Sequence, residues 1–308
     1  MKAKITYYLI LAVMILACKT DNTAKNRSEG LRVVTTTSLI TEMIGVIGGN
    51  ALVVNGLMGA GVDPHLFKAS EGDVNKLYNA DIIFYNGLHL EGKMQDVLEN
   101  MKKQGIEVVP LTDTLGRDLL IASSNFASNY DPHIWFSISC WKTASIFAAN
   151  KLSSIDPANK QIYQANVMKY IAKLDSTERL VLERINELPV EKRVLITAHD
   201  AFNYFGKAYD FEVLGLQGIS TVAEAGVQDV QNLAGMIVER KIKAIFVETS
   251  VPRRNIEALQ EAVRSKGFDV QIGGSLFSDA LGNPGTNEGT YPGMFMYNVN
   301  TIVQALKD

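Results

Sequence analysis

Residues 156–189, DPANKQIYQANVMKYIAKLDSTERLVLERINELP, decide the architecture. Asp156-Pro157 opens the stretch as a helix cap with proline at the first helical position, and Pro189 closes it. No glycine or proline interrupts the residues between Pro157 and Leu188. Apolar residues recur at Ile162, Val167, Tyr170, Ile171, Leu174, Leu180, Val181 and Ile185. A helix of about 30 residues rises about 45 Å. That is too long for a crossover inside one small α/β lobe, so the spacing predicts a rigid connector between two lobes. The alternative is a pair of shorter helices broken near Asp175-Ser176-Thr177.

Short β-rich runs lie on either side. Arg32–Thr36, Leu52–Leu57, Ile82–Tyr85 and Glu107–Leu111 precede the connector. Val194–Thr197, Glu212–Leu214, Ala244–Val247 and Asp269–Ile272 follow it. Helical periods alternate with them at Leu39–Ile47, Asp73–Asn79, Gly92–Lys103, Cys140–Ser153, Val227–Arg240 and Arg254–Ser265. Ser70 with Asp73 reads as a capping box. Such alternation predicts an α/β fold of two lobes, each a four-stranded mostly parallel sheet flanked by helices. A chain of 308 residues is comfortable for two. The expected boundaries are 31–155 for the first lobe, 156–188 for the connecting helix and 189–308 for the second.

The N-terminus reads differently. Lys2 and Lys4 precede an apolar run from Ile5 to Ala17, too short for a membrane span and suited to a signal peptide over 1–17. Cys18 after Ala17 fits a lipidation site that would anchor the chain to a lipid membrane outside the cytoplasm. Residues 18–30 are polar and aperiodic, a tether. With Cys18 acylated, Cys140 has no partner, and no disulfide is expected. A formal charge of −3 argues against a nucleic-acid partner. A monomer is expected.

The chain has four histidines. Two share a tripeptide, Asp63-Pro64-His65 and Asp131-Pro132-His133, and a third ends a strand in Thr197-Ala198-His199-Asp200. Proline fixes its own φ and restricts its predecessor, which pre-orients the next side chain. The aspartates can accept local hydrogen bonds and hold the turns. Three histidines at strand edges or in loops point to a transition-metal site, since imidazole suits zinc and its neighbours and a carboxylate adds affinity for manganese. His89 is the odd one out, a fourth ligand or a supporting group. Many carboxylates could complete the site. Asp279 is favoured because Gly273-GSLFSD follows the last strand.

Four segments, Gly61-VDPHLF, Asp131-PHIWF, Thr197-AHDAF and Gly274-SLFSDA, together with Tyr85-NGLHLE, Ile245-FVETS and Gly285-TNEGTY, resemble the TroA-like (cluster A-I) solute-binding lipoproteins of zinc and manganese ABC importers. The resemblance spans about residues 31–308. It implies a metal between two four-stranded lobes, held by His65 and His133 from the first and His199 and Asp279 from the second. It also implies delivery of Zn2+ or Mn2+ to a membrane permease, with Asp63, Asp131, His89 and Glu248 placed to orient the ligands. Manganese-selective relatives typically carry Glu where this chain has His199. Many zinc-binding relatives carry a His-rich loop, whereas Asp113–Asn129 has no histidine.

Four protein ligands close a tetrahedral site, whereas catalytic zinc usually keeps a position for water. The chain also lacks H-E-x-x-H, G-x-S-x-G and the P-loop signature. An enzyme is therefore not expected. A secreted metallohydrolase using His199–Asp200 or Glu248, a binding module for a larger metal chelate, and an adhesin are the alternatives.

Overall fold

The computed structural model describes residues 30–124 and 126–307. The signal peptide, the lipidation site at Cys18 and almost all of the tether lie outside the described residues. In the first half, β1 (Leu31–Thr35), β2 (Leu52–Gly56), β3 (Ile82–Tyr85) and β4 (Glu107–Pro110) form one parallel sheet in the order β2-β1-β3-β4. In the second half, β5 (Val194–His199) pairs with β6 (Glu212–Gln217), and β7 (Ala244–Glu248) with β8 (Gln271–Leu276). β5 lies beside β7, so the halves repeat one order of strands. The expected four strands are present, but as two hydrogen-bonded parallel pairs rather than one continuous ladder. Helices α1 (Ser38–Gly48), α2 (Glu71–Tyr78), α3 (Gln95–Lys103) and α4 (Ile138–Ile155) belong to the first half, and α6 (Asn203–Tyr209), α7 (Val227–Arg240), α8 (Arg254–Ser265) and α9 (Tyr291–Lys307) to the second. Ser70 and Asp73 do form the capping box of α2.

Side chains alternate across a strand, and here the two faces enter different cores. Leu31 and Val33 of β1, Ile82 and Phe84 of β3, Leu195 of β5 and Phe246 of β7 all face one central core that runs under both halves. Their neighbours Val34 and Ile83 enter a core private to the first half, with Leu77, Leu98 and Met101. Ile196, Ile245 and Val247 enter one private to the second, with Leu233, Ile237 and Leu259. Full burial of one such side chain stabilises by about 1.5–3 kcal/mol. Parting the halves widely would open the shared core, so large hinge motion is disfavoured. Residues 31–308 accordingly form one unit.

The long helix α5 runs from Lys160 to Ile185, preceded by a 3-10 turn at Pro157–Asn159. It packs against α1, α4 and α9 and so bridges the halves. Its 26 residues rise about 39 Å. It does not break at Ser176-Thr177, whose hydroxyls donate to the carbonyls of Ala172 and Lys173. The buried stripe is Tyr163, Val167, Tyr170, Leu174, Thr177, Val181 and Ile185. Ile162 and Leu180, two of the recurring apolar residues, are 43% and 52% exposed, because an i, i+3/i+4 spacing selects Tyr163 and Thr177 instead. Asp156 is a cap of a different kind: its carboxylate accepts from Asn159 Nδ2 and the Tyr163 hydroxyl rather than from a helix N–H.

β8 extends beyond the expected strand. Ile245 pairs with Ile272 but Phe246 with Gly274, leaving Gly273 as a bulge. A Cβ on Gly273 would stand 2.6 Å from the Ala305 methyl of α9 and 2.9 Å from Phe246. The Gly-Gly pair, which reads as loop punctuation, is strand in close contact with a helix.

Where α1, α5 and α9 meet, Glu42 accepts from the Tyr170 hydroxyl at 2.9 Å, and Tyr170 in turn accepts from Trp141 Nε1. Burial pushes the Glu42 carboxyl up to about 7, against the hydrogen bonds from Tyr170 and the Tyr291 backbone. A carboxyl raised in the folded state costs stability as pH rises from its unfolded value, about 4.5, through about 7. Glu42→Gln keeps the acceptor and removes the charge. It is expected to match wild type near pH 4.5 and to exceed it above pH 7 by on the order of 1–3 kcal/mol. Thermal unfolding of both proteins across this range reads the divergence.

Candidate metal centre

The carboxyl ends of parallel strands, at the point where connections diverge to opposite sides, form a natural crevice. Both halves offer one, and the crevices face each other. His199 is the last residue of β5, and Glu248 the last of β7. His65 lies in the loop after β2. His133 caps a short 3-10 turn, Ile134–Phe136, and Asp279 follows β8. His65, His133, His199 and Asp279 each offer one ligand atom, and these atoms all lie within 4.8 Å of one another. All four residues are buried, His65 the least at 2% exposure.

Three edges of this cluster are short. His65 Nε2 and His133 Nε2 are 3.3 Å apart. Asp279 Oδ1 is 3.6 Å from His133 Nε2 and 3.4 Å from His199 Nε2. A tetrahedron with metal–ligand bonds of about 2.05 Å has edges of about 3.4 Å. Neither His199 Nε2 nor Asp279 Oδ1 has a hydrogen-bond partner, although both are buried. Buried polar atoms are normally satisfied, and these two stand 3.4 Å apart within the cluster. The donor set and its spacing fit a zinc-sized ion.

Two rings are aimed by carboxylates. Asp131 Oδ1 accepts from His133 Nδ1 at 2.7 Å and from the His133 backbone N–H at 2.9 Å. Glu248 does the same for His199, at 2.6 Å through Oε2 and 2.8 Å through Oε1. A carboxylate only accepts, so each Nδ1 carries the hydrogen and each Nε2 faces the centre. Asp63 acts differently from its twin Asp131. It accepts from the His65 backbone N–H at 2.8 Å, and its other oxygen accepts from Thr221 Oγ1 at 2.6 Å. His89 stands apart from the cluster. It is exposed, in left-handed backbone at φ 65°, and meets the edge of Phe126, which also meets His65. Cys140 is buried.

The site is electrostatically divided. Burial lowers His65 to about 3, and the other histidines add to that, so its ring is neutral at neutral pH. Burial would also lower His199, but Asp279 and Glu248 outweigh it and hold the ring well above its ordinary value. Burial would raise Asp279, yet His199, His133 and His65 together hold its carboxyl far below the usual range.

Three contributors escaped the sequence reading. Ser250 Oγ donates to Asp279 Oδ2 at 3.1 Å and leaves Oδ1 free. Asn203 Nδ2 donates to Asp131 Oδ2 at 3.0 Å from the second half. Trp135 stands edge-on to His133, and its Nε1 donates to the Ser278 carbonyl beside Asp279. Trp135 and Ser250 lie inside the quoted segments Asp131-PHIWF and Ile245-FVETS, yet nothing local assigns them these roles, because each acts on a residue distant in sequence.

Residues 33–305 match the family described as zinc-uptake complex component A, periplasmic. The manganese-binding lipoprotein MntA of Bacillus subtilis (strain 168) is 43% identical over 299 residues, covering 97% of each chain. The zinc-binding protein TroA of Treponema pallidum (strain Nichols) is 44% identical over 274 residues, 89% of this chain and 88% of its own. The solved structure of the periplasmic zinc-binding protein TroA from Treponema pallidum superposes with a TM-score of 0.87 at 44% identity, over 90% of this chain and 99% of that one.

Proposed function

The chain belongs to the zinc-uptake complex component A family, and on that premise we propose that it captures Zn2+ or Mn2+ between its halves and delivers the ion to the membrane permease of an ABC importer. The observation that carries this reading is the cluster of four buried donors within 4.8 Å of one another, two from each half. His65, His133, His199 and Asp279 are the ligands. Asp131 and Glu248 aim two of the rings, and Asp63 fixes the His65 loop. The two halves, 31–155 and 189–308, act as lobes joined through 156–188. The protein works outside the cytoplasm as a monomer, held to the membrane through acylated Cys18 and the tether 18–30. Among the described residues no helix is long and apolar enough to cross a membrane.

Zinc is the closer fit. With Oδ2 held by Ser250, Asp279 offers one oxygen, and four donors complete a tetrahedron. Manganese asks for more oxygen donors, which Asp279 supplies only if Oδ2 turns from Ser250 to the ion. The 43% identity to a manganese-binding lipoprotein keeps that second reading in play. Hydrolysis is disfavoured, because four protein donors leave no position for a reactive water and both Glu248 oxygens already serve His199.

Elemental analysis of protein purified from its own cell envelope is expected to give one zinc or manganese per chain, and starvation for that metal to induce it. Turnover of model esters, abolished by His65→Ala, would overturn the transport reading.

A further inference from the structure

His65 is the one member of the ligand set that lines a cavity of about 270 Å³ reaching solvent. His89 and Phe126 of the first half form one wall, and Ser220 and Val222 of the second half form the other. His133, His199 and Asp279 are sealed behind, at 0–1% exposure. An ion that reaches the four donors along this path passes between walls belonging to different halves.

The two sides of the site are fastened unequally. Away from the cavity the halves are tied by Trp135 to the Ser278 carbonyl, Tyr204 to the Asp131 carbonyl, Asn203 to Asp131, and Tyr291 to the Trp135 carbonyl, all above the shared core. At the cavity rim stands the 2.6 Å bond from Thr221 Oγ1 to Asp63 Oδ2. Thr221 adjoins both second-half wall residues, Ser220 and Val222. Asp63 also holds the His65 backbone through its other oxygen. One hydrogen bond therefore joins a wall of the path to the loop that carries the outermost ligand. The segment from Leu57 to Ser70 contains no helix or strand; Val62 and Phe67 pack against the first half's private core, and between them Asp63 holds the His65 backbone.

Resting on the metal-capture reading above, we propose that Thr221 is a positioning residue that latches Asp63 and thereby gates exchange of the metal past His65. With the latch made, His65 is fixed on the ion and the walls are joined. With it broken, the His65 loop and the Ser220–Val222 segment separate together, and the ion can leave without displacement of the sealed ligands.

The test is the rate at which Zn2+ leaves the full chain into excess chelator, with the association rate measured alongside. Thr221→Val keeps the shape and removes the hydroxyl. It is expected to speed dissociation about tenfold or more, as the loss of a part-buried hydrogen bond to a carboxylate implies, while Thr221→Ser restores the wild-type rate. Val222→Trp narrows the cavity and is expected to slow association and dissociation together, leaving the equilibrium affinity within about twofold. A wild-type rate in Thr221→Val overturns the latch, and unchanged exchange in Val222→Trp overturns the path, with the capture reading intact in both cases. A wild-type chain that takes up no zinc or manganese defeats the capture reading itself, separately from the latch.

Discussion

His133→Ala is expected to weaken zinc binding by roughly 10²–10³-fold while the metal-free chain still folds. Zinc held by four protein ligands is worth about 10–16 kcal/mol, so each ligand carries about 3 kcal/mol, and every 1.4 kcal/mol is tenfold. His133 is central to the cluster, with Nε2 3.3 Å from His65 Nε2 and 3.6 Å from Asp279 Oδ1. Its loss therefore removes a donor that the remaining three cannot replace by a small shift. The fold should tolerate it. Asp131 keeps the backbone N–H of position 133 and the Asn203 amide as partners, so its buried carboxylate stays bonded. Of the large shared core, Trp135 meets the His133 ring edge-on, and its Nε1 stays bonded to the Ser278 carbonyl without it. The truncated ring costs about 1–3 kcal/mol in cavity and lost hydrogen bonding. Chelator competition reads the affinity, and thermal unfolding of the metal-free variant reads the fold. A metal-free variant that is unfolded would make the ion a structural staple, and an unchanged affinity would remove His133 from the site. His89→Ala is the control: its ring lies outside the cluster, and affinity should stay within a few-fold.

Three of the four clustered donors were legible in the sequence because histidine is rare in this chain and each occurs in a conformationally restricted setting. Proline before His65 and His133, and the end of a strand before His199, make their side-chain directions local properties. Asp279 was not legible in that sense. Its place depends on β8 running on through Gly273-Gly274 to Leu276, and a Gly-Gly pair signals a loop unless the helix packed against it is known. The twin Asp-Pro-His motifs also conceal a difference. Asp131 holds the ring of its histidine, whereas Asp63 holds only the backbone and spends its second oxygen on Thr221, 158 residues away. Local sequence is the same in both, and the tertiary neighbour decides. The connector was readable from its length without glycine or proline, although which stripe it buries was fixed by packing against α1, α4 and α9. The C-terminal helix α9 was not marked at all. Its buried face includes Gly293 and Asn298, which carry no apolar signal.

The pH dependence of capture should depart from that of three ordinary histidines. Independent rings near pKa 6.5 would each release a proton on binding below that value, and log K would rise with a slope of three per pH unit. His65 drops out, because burial keeps it neutral down to about pH 3. His199 behaves oppositely. Asp279 and Glu248 hold its proton to well above pH 6.5 despite burial, so the metal-free site is closed by a charged pair, His199 with Asp279 at 3.4 Å. The ion must expel that proton and takes its place as the positive partner of Asp279, which stays ionised because its pKa is depressed. The sign follows: protons and metal compete at His199, so affinity falls as pH falls. The competition persists at and above pH 7, where ordinary histidines would already be neutral. Zinc affinity measured between about pH 5.5 and 8 should rise at least tenfold per unit, with a slope below three and no plateau at pH 7. Calorimetry in buffers of different ionisation enthalpy should register proton release at pH 7.5. A slope that vanishes above pH 7, or binding without proton release there, would mean that His199 is neutral before the metal arrives. Glu248→Gln separates the causes. It removes one of the two charges that raise His199 while leaving a hydrogen-bond acceptor at Nδ1. Its plateau should therefore appear at lower pH than in the wild type, although the four donors are unchanged.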